Sequence, residues 1–89
     1  MARTRNTALA ERLAEAGWSQ TQAAAALVRV AVESGARELE AVSRSHIAMW
    51  IQGTRPSGQA TRILRETLSR RLGRQLTLAD LGLAGEPAE

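Results

Sequence analysis

At 89 residues with 44% apolar side chains, the chain has material for one small domain with one core, and too little for a catalytic domain joined to a sensor. It holds no cysteine, which excludes disulfide and thiolate-zinc frameworks. No apolar run approaches the roughly 18 residues that cross a bilayer, and the start MARTRNTALAERL lacks the apolar stretch of a signal peptide, so the expectation is a soluble cytoplasmic protein with no membrane attachment. The net charge of +3 is unevenly spread: residues 1–43 balance five arginines with five glutamates, whereas residues 44–74 set seven arginines against Glu66 alone. Positive charge that begins in the middle third suits a surface that meets a polyanion, and equally a solvated arginine-rich face.

The chain reads as helices throughout, an all-α bundle of about five. NTALAERLAEAG offers Asn6 or Thr7 as N-cap, Leu9, Leu13 and Ala16 at helical spacing, and Gly17 as a stop. SQTQAAAALVRVAVESG opens on Ser19 and runs apolar to Gly35. ARELEAV is either a loop or a frayed turn. Ser43 then caps a short helix that stops near Gly53, Pro56 and Gly58 mark a connection, and QATRILRETLSRRLG forms a fourth helix with Ile63, Leu64, Leu68 and Leu72 inward. Thr77 caps a final turn. The ordered domain is expected over residues 6–83, between a basic arm at 1–5 and a tail or linker at 84–89.

The short helix in SRSHIAMWIQGTRPS has two unlike sides. At about 100° per residue, Ile47, Trp50 and Ile51 fall on one stripe; Ser45, Ala48, Met49 and Gln52 fall on the other, with Arg44 and His46 on the flanks. An anchored helix whose outer surface is small, polar and flexible is shaped to lie close against something. The major groove of duplex DNA, about 12 Å wide, admits such a helix.

GWSQTQAAAAL followed by SRSHIAMWIQGTRPS resembles the lambda-repressor-like, Xre-family (Cro/cI-type) helix-turn-helix domain over about residues 6–72, the stretch from Ser43 to Pro56 being the more specific part. The segment LSRRLGRQLTLADLGL adds a similarity to the N-terminal domains of actinobacterial regulators. The resemblance implies a DNA-binding transcriptional regulator, or the DNA-binding domain of one, with a recognition helix from Ser43 to Gln52. It implies base-facing positions at Arg44, Ser45, His46, Ala48 and Met49, and phosphate contacts at Gln20, Thr21, Gln52 and Arg55. Double-stranded DNA is the implied partner, bound as a homodimer; no cofactor, metal, catalytic residue or small-molecule ligand is implied. The chain departs from the family in its connection, because Val28 to Val42 intervene where a short glycine turn is usual. Either the second helix is longer by about two turns, or the insertion forms its own element. Its apolar Val28, Val30, Ala31 and Val32 offer a dimer contact or a docking face for a protein partner.

Each residue also has a plainer reading. Trp18 and Trp50 are core anchors before they are stacking platforms. Met49 is either a thymine-methyl contact or a surface methionine, and a lone histidine supports a phosphate or base hydrogen bond ahead of a passive flank position. Arg44 grips guanine with two hydrogen bonds or, less specifically, a phosphate. Arg62, Arg65, Arg70, Arg71 and Arg74 are read as mostly solvated. An enzyme is not expected, since the chain has no Gly-rich phosphate loop and no carboxylate pair near its single histidine.

Overall fold

The computed structural model of the chain describes residues 5–56 and 58–83. Among these residues lie four α-helices, α1 (Thr7–Ala16), α2 (Gln20–Ser34), α3 (Arg44–Ile51) and α4 (Ala60–Leu72), two single 3-10 turns at Arg37–Leu39 and Ala79–Leu81, and no strand. The all-α expectation holds, with four helices and two short turns where about five helices were expected. Of the basic arm only Arg5 is described; the rest of the arm and the tail at 84–89 lie outside the described residues.

The caps follow the side chains that can satisfy orphan backbone donors. Asn6 Oδ1 accepts from the Leu9 N–H at 3.0 Å and opens α1. At α2 the capping box is complete: the Gln22 N–H donates to Ser19 Oγ at 3.1 Å, and the Ser19 N–H donates to Gln22 Oε1 at 2.8 Å. Gly35 ends α2 at φ +74°, a left-handed conformation open to glycine at little cost, and the next amide, Ala36 N–H, folds back onto the Ala31 carbonyl at 2.9 Å.

The core is a single cluster. Leu9 and Leu13 of α1, Leu27 of α2, Ile47, Trp50 and Ile51 of α3, and Ile63, Leu64 and Leu68 of α4 are buried together with Leu76 and Leu81. Burying one such side chain contributes about 1.5–3 kcal/mol. The inward set expected for α4 is met at Ile63, Leu64 and Leu68, while Leu72 is half-buried at its end. Trp50 is a core residue; Trp18 is half-buried on the rim.

The long connection resolves in favour of an extended α2. The helix runs to Ser34, and one 3-10 turn lies between its end and α3. Of the four residues offered as a dimer contact or docking face, this places Val30 and Ala31 in the core. Ala23, Ala24, Leu27, Val30 and Ala31 form one stripe at i, i+1, i+4, i+7 and i+8, so the added turns continue the core-facing side of the helix. Ala36 and Leu39 close over it, both buried. Val28 is half-buried, and Val32, 58% exposed, is the member of the set that faces outward.

Candidate nucleic-acid interface

The residues that bury α3 also decide what it presents. Ile47 at 1% exposure, with Trp50 and Ile51, fixes the inner side against α2, its most extensive partner. The opposite side then faces outward by helical geometry: Ser45, Met49 and Gln52 are exposed and Ala48 is half-buried, and Arg44, on the flank at the first turn, is exposed as well. Met49 is one of two large apolar side chains exposed among the described residues. The expected base-facing residues Arg44, Ser45, Ala48 and Met49 thus share one outward surface with Gln52.

His46 stands apart from that set. Its Nδ1 accepts from the Ser43 N–H at 3.1 Å, and its ring tilts against Trp50 at 6.4 Å between centroids. The imidazole closes the N-terminal turn of α3, a role that the Ser43-x-x-His46 spacing signals in the sequence in the way Ser19-x-x-Gln22 signals it for α2. Any contact with a ligand falls to Nε2.

Arg55, expected at a phosphate, donates from Nη2 to the Leu83 carbonyl at 2.7 Å and so ties the turn after α3 to the end of the described chain. Gln20, half-buried, and Thr21, exposed, occupy the first turn of α2, on a different element from the α3 set. Between the first 3-10 turn and α3 runs a cleft of about 360 Å³ bordered by Glu38, Val42, His46, Met49 and Arg55. A second, of about 430 Å³, separates Arg5 and Thr7 from Thr54, Arg55 and Leu83.

The arginine excess of residues 44–74 is partly cancelled in space: Arg62, Arg70, Arg71 and Arg74 are exposed, as expected, but each also holds a partner on the domain. Arg70 reaches Glu33 of α2 at 2.7 Å and Glu66 at 2.8 Å. Arg74 holds Glu15 of α1 at 2.7 Å, and Arg12 approaches the same carboxylate at 3.0 Å. Arg71 donates Nε to the Ala16 carbonyl at 2.9 Å, satisfying the end of α1, and its guanidinium lies 5.4 Å from the Trp18 ring centre. The glutamates of the balanced first half were the missing signal: they meet arginines 37 and 59 residues away, a distance over which composition gives no pairing. Hydrogen bonds that Arg70 donates to Glu33 and then to Glu66 raise its pKa, and the bond to Glu15 does the same for Arg74. In return Arg74 holds the Glu15 carboxyl below its ordinary value. Arg62 donates to Gln59, and Gln59 in turn donates to Glu38 of the first 3-10 turn.

Among the described residues no group of His, Cys, Asp and Glu is placed to hold a metal ion, and no helix is long and apolar enough to cross a membrane. Fold and surface together define a small all-helical domain, closed around one core, that presents a short anchored helix. More particularly, residues 9–84 match the SP15 N-terminal domain family, and the chain belongs to that family. The match takes in most of α1, the other three helices and both 3-10 turns. No curated protein and no solved structure matches the chain.

Proposed function

We propose that this domain binds double-stranded DNA as a transcriptional regulator, or as the DNA-binding part of one, in the manner of the lambda-repressor-like, Xre-type domains that its sequence resembles. The observation that carries the reading is the two-sidedness of α3: an inner stripe locked by Ile47, Trp50 and Ile51, and an outer surface on which small Ser45 and Ala48 lie beside the flexible side chains of Arg44 and Met49. In this reading α3 enters the major groove, Arg44 reads guanine or a phosphate, and Ser45, Ala48 and Met49 lie against base edges. Gln20, Thr21, Gln52 and Arg55 flank the groove at the backbone. The role is one of binding rather than catalysis, exercised in the cytoplasm on the nucleoid. With one arginine among small neighbours, specificity is modest, and two half-sites about 34 Å apart, bound by a homodimer, supply the rest.

The test is fluorescence anisotropy on a labelled mixed-sequence duplex at about 50 and about 200 mM salt. If about four phosphates are neutralised, the expected loss of affinity across that range is roughly 100-fold. Arg44→Ala weakens binding at both salts. Absence of binding at low salt overturns the proposal.

A further inference from the structure

Two helices of this domain open on a serine whose backbone N–H is received by the side chain three residues on, and the two receiving groups differ. At α2 the Ser19 N–H donates to a glutamine oxygen, Gln22 Oε1, at 2.8 Å; at α3 the Ser43 N–H donates to an imidazole nitrogen, His46 Nδ1, at 3.1 Å. Ser43 Oγ lies 3.3 Å from the same nitrogen. An amide oxygen accepts at every pH of interest. An imidazole nitrogen accepts only while it is unprotonated, and imidazole is the side chain whose charge changes between about pH 5 and 8. The ring is also oriented: it packs on Trp50, one turn along the same helix, at 6.4 Å and 58°.

We propose that His46 is a positioning residue, whose neutral ring holds the first turn of α3, and with it Arg44 and Ser45, in the geometry that meets DNA. Protonation would turn Nδ1 from acceptor to donor, so that the Ser43 N–H loses its partner even where Ser43 Oγ, 3.3 Å away, takes the new N–H, and would add positive charge at the positive end of the helix dipole, so acid frays the turn. The charged groups around the ring are Glu38 of the first 3-10 turn and Arg55 of the turn after α3, which border the same cleft, and Arg44 on its own helix. A histidine that touched phosphate would behave in the opposite sense, because the charge it gained in acid would tighten binding. The two roles differ in the sign of one pH dependence.

This inference rests on the DNA-binding reading, and the experiment separates the two. NMR spectra of the full chain and of His46→Gln, which restores the acceptor used at α2, are followed from about pH 7.5 to about 5.5. The expected result is that the Ser43 amide shift and the Cα shifts of Arg44 and Ser45 move with the His46 ring titration in the wild type and stay flat in His46→Gln. On the mixed-sequence duplex over the same range, the wild type loses affinity roughly five-fold, the scale of a lost helix cap, while His46→Gln stays level. His46→Ala, with no acceptor at all, binds at pH 7.5 as the wild type does in acid. Shifts in α3 that ignore the ring titration overturn the cap, whether or not DNA binds. Wild-type binding that tightens in acid, with the tightening lost in His46→Gln, overturns it in favour of direct contact. If no variant binds DNA while the shifts behave as expected, the cap stands and the DNA-binding reading falls.

Discussion

The side-chain amide of Asn6 donates from Nδ2 to the Leu81 carbonyl at 2.9 Å, joining residues 75 apart in sequence. The same residue caps α1 through Oδ1 and gives its backbone N–H to the Ile51 carbonyl, at 2.7 Å, at the end of α3. One asparagine thus fastens the first helix, the proposed DNA-facing helix and the last turn. Gly82, beside that joint at φ +70°, leaves room for it, since a Cβ there would press on Asn6 Oδ1.

Substitutions at this joint should couple. Asn6→Ala removes a helix cap and a long-range hydrogen bond and is expected to cost about 1–3 kcal/mol in urea unfolding. Asn6→Asp keeps the capping oxygen, whose charge suits a helix N-terminus, but sets an acceptor against the Leu81 carbonyl in place of the donor, so it should recover only part of that cost. Gly82→Ala is expected to destabilise by at least about 1 kcal/mol, because its backbone conformation strains an L side chain and its Cβ meets Asn6. In the Asn6→Ala background the second part of that cost disappears. A double-mutant cycle in which the two costs simply add would show that the contact has no energetic weight.

The two sides of α3 should separate stability from function. Ile47 is 1% exposed, and Ile47→Ala is expected to lose about 2–5 kcal/mol by leaving a cavity under the helix. Met49 is 44% exposed, and Met49→Ala should stay within about 0.5 kcal/mol of wild type in the same assay. A large loss at Met49 would mean that its side chain packs on the domain rather than awaiting a partner.

Acid should destabilise the domain through two carboxylates, Glu15 and Asp80. Arg74 lowers the Glu15 pKa, and the Thr77 backbone N–H, at 2.9 Å, followed by the Thr77 hydroxyl, lowers that of Asp80. Because both folded values lie below their unfolded ones, the stability they lend is present above the ordinary carboxylate range and is lost as pH falls through the lower folded values. Melting temperature is therefore expected to hold above about pH 5 and to decline below about pH 4. Arg74→Ala should flatten the part of that decline due to Glu15, and an unchanged profile in the variant would show that Glu15 contributes nothing to it.

Local chemistry was legible in the sequence, and distant pairing was not. Asn6, Ser19, Ser43 and the glycines at 17 and 35 announce helix ends because a cap acts within three or four residues. The inner stripe of α3 followed from period alone. The burial of Val30 and Ala31 in the insertion was not legible, because Ala36 and Leu39 join them in the core through a chain path that depends on where α2 stops. Likewise the partners of Arg70 and Arg74 sit on α2 and α1, and only the packed bundle brings them within reach. Of the candidate site, Arg44, Ser45, Ala48, Met49 and Gln52 share the expected surface; His46 and Arg55 have structural duties that a helical projection does not contain.

A single added charge should distinguish a DNA-facing α3 from a merely exposed one. Ser45 is the second residue of the helix and exposed. A glutamate at this position faces the positive end of the helix dipole, which favours it by about 0.3–1 kcal/mol, so Ser45→Glu is expected to fold at least as stably as wild type. On DNA the same carboxylate would sit in the groove between phosphate rows and lose its water without gaining a counter-charge. Binding to the mixed-sequence duplex at about 50 mM salt should then fall by at least about ten-fold, while thermal unfolding is unchanged or improved. Equal affinity in Ser45→Glu and wild type would remove the first turn of α3 from the interface, and with it the assignment of Arg44 as a base reader.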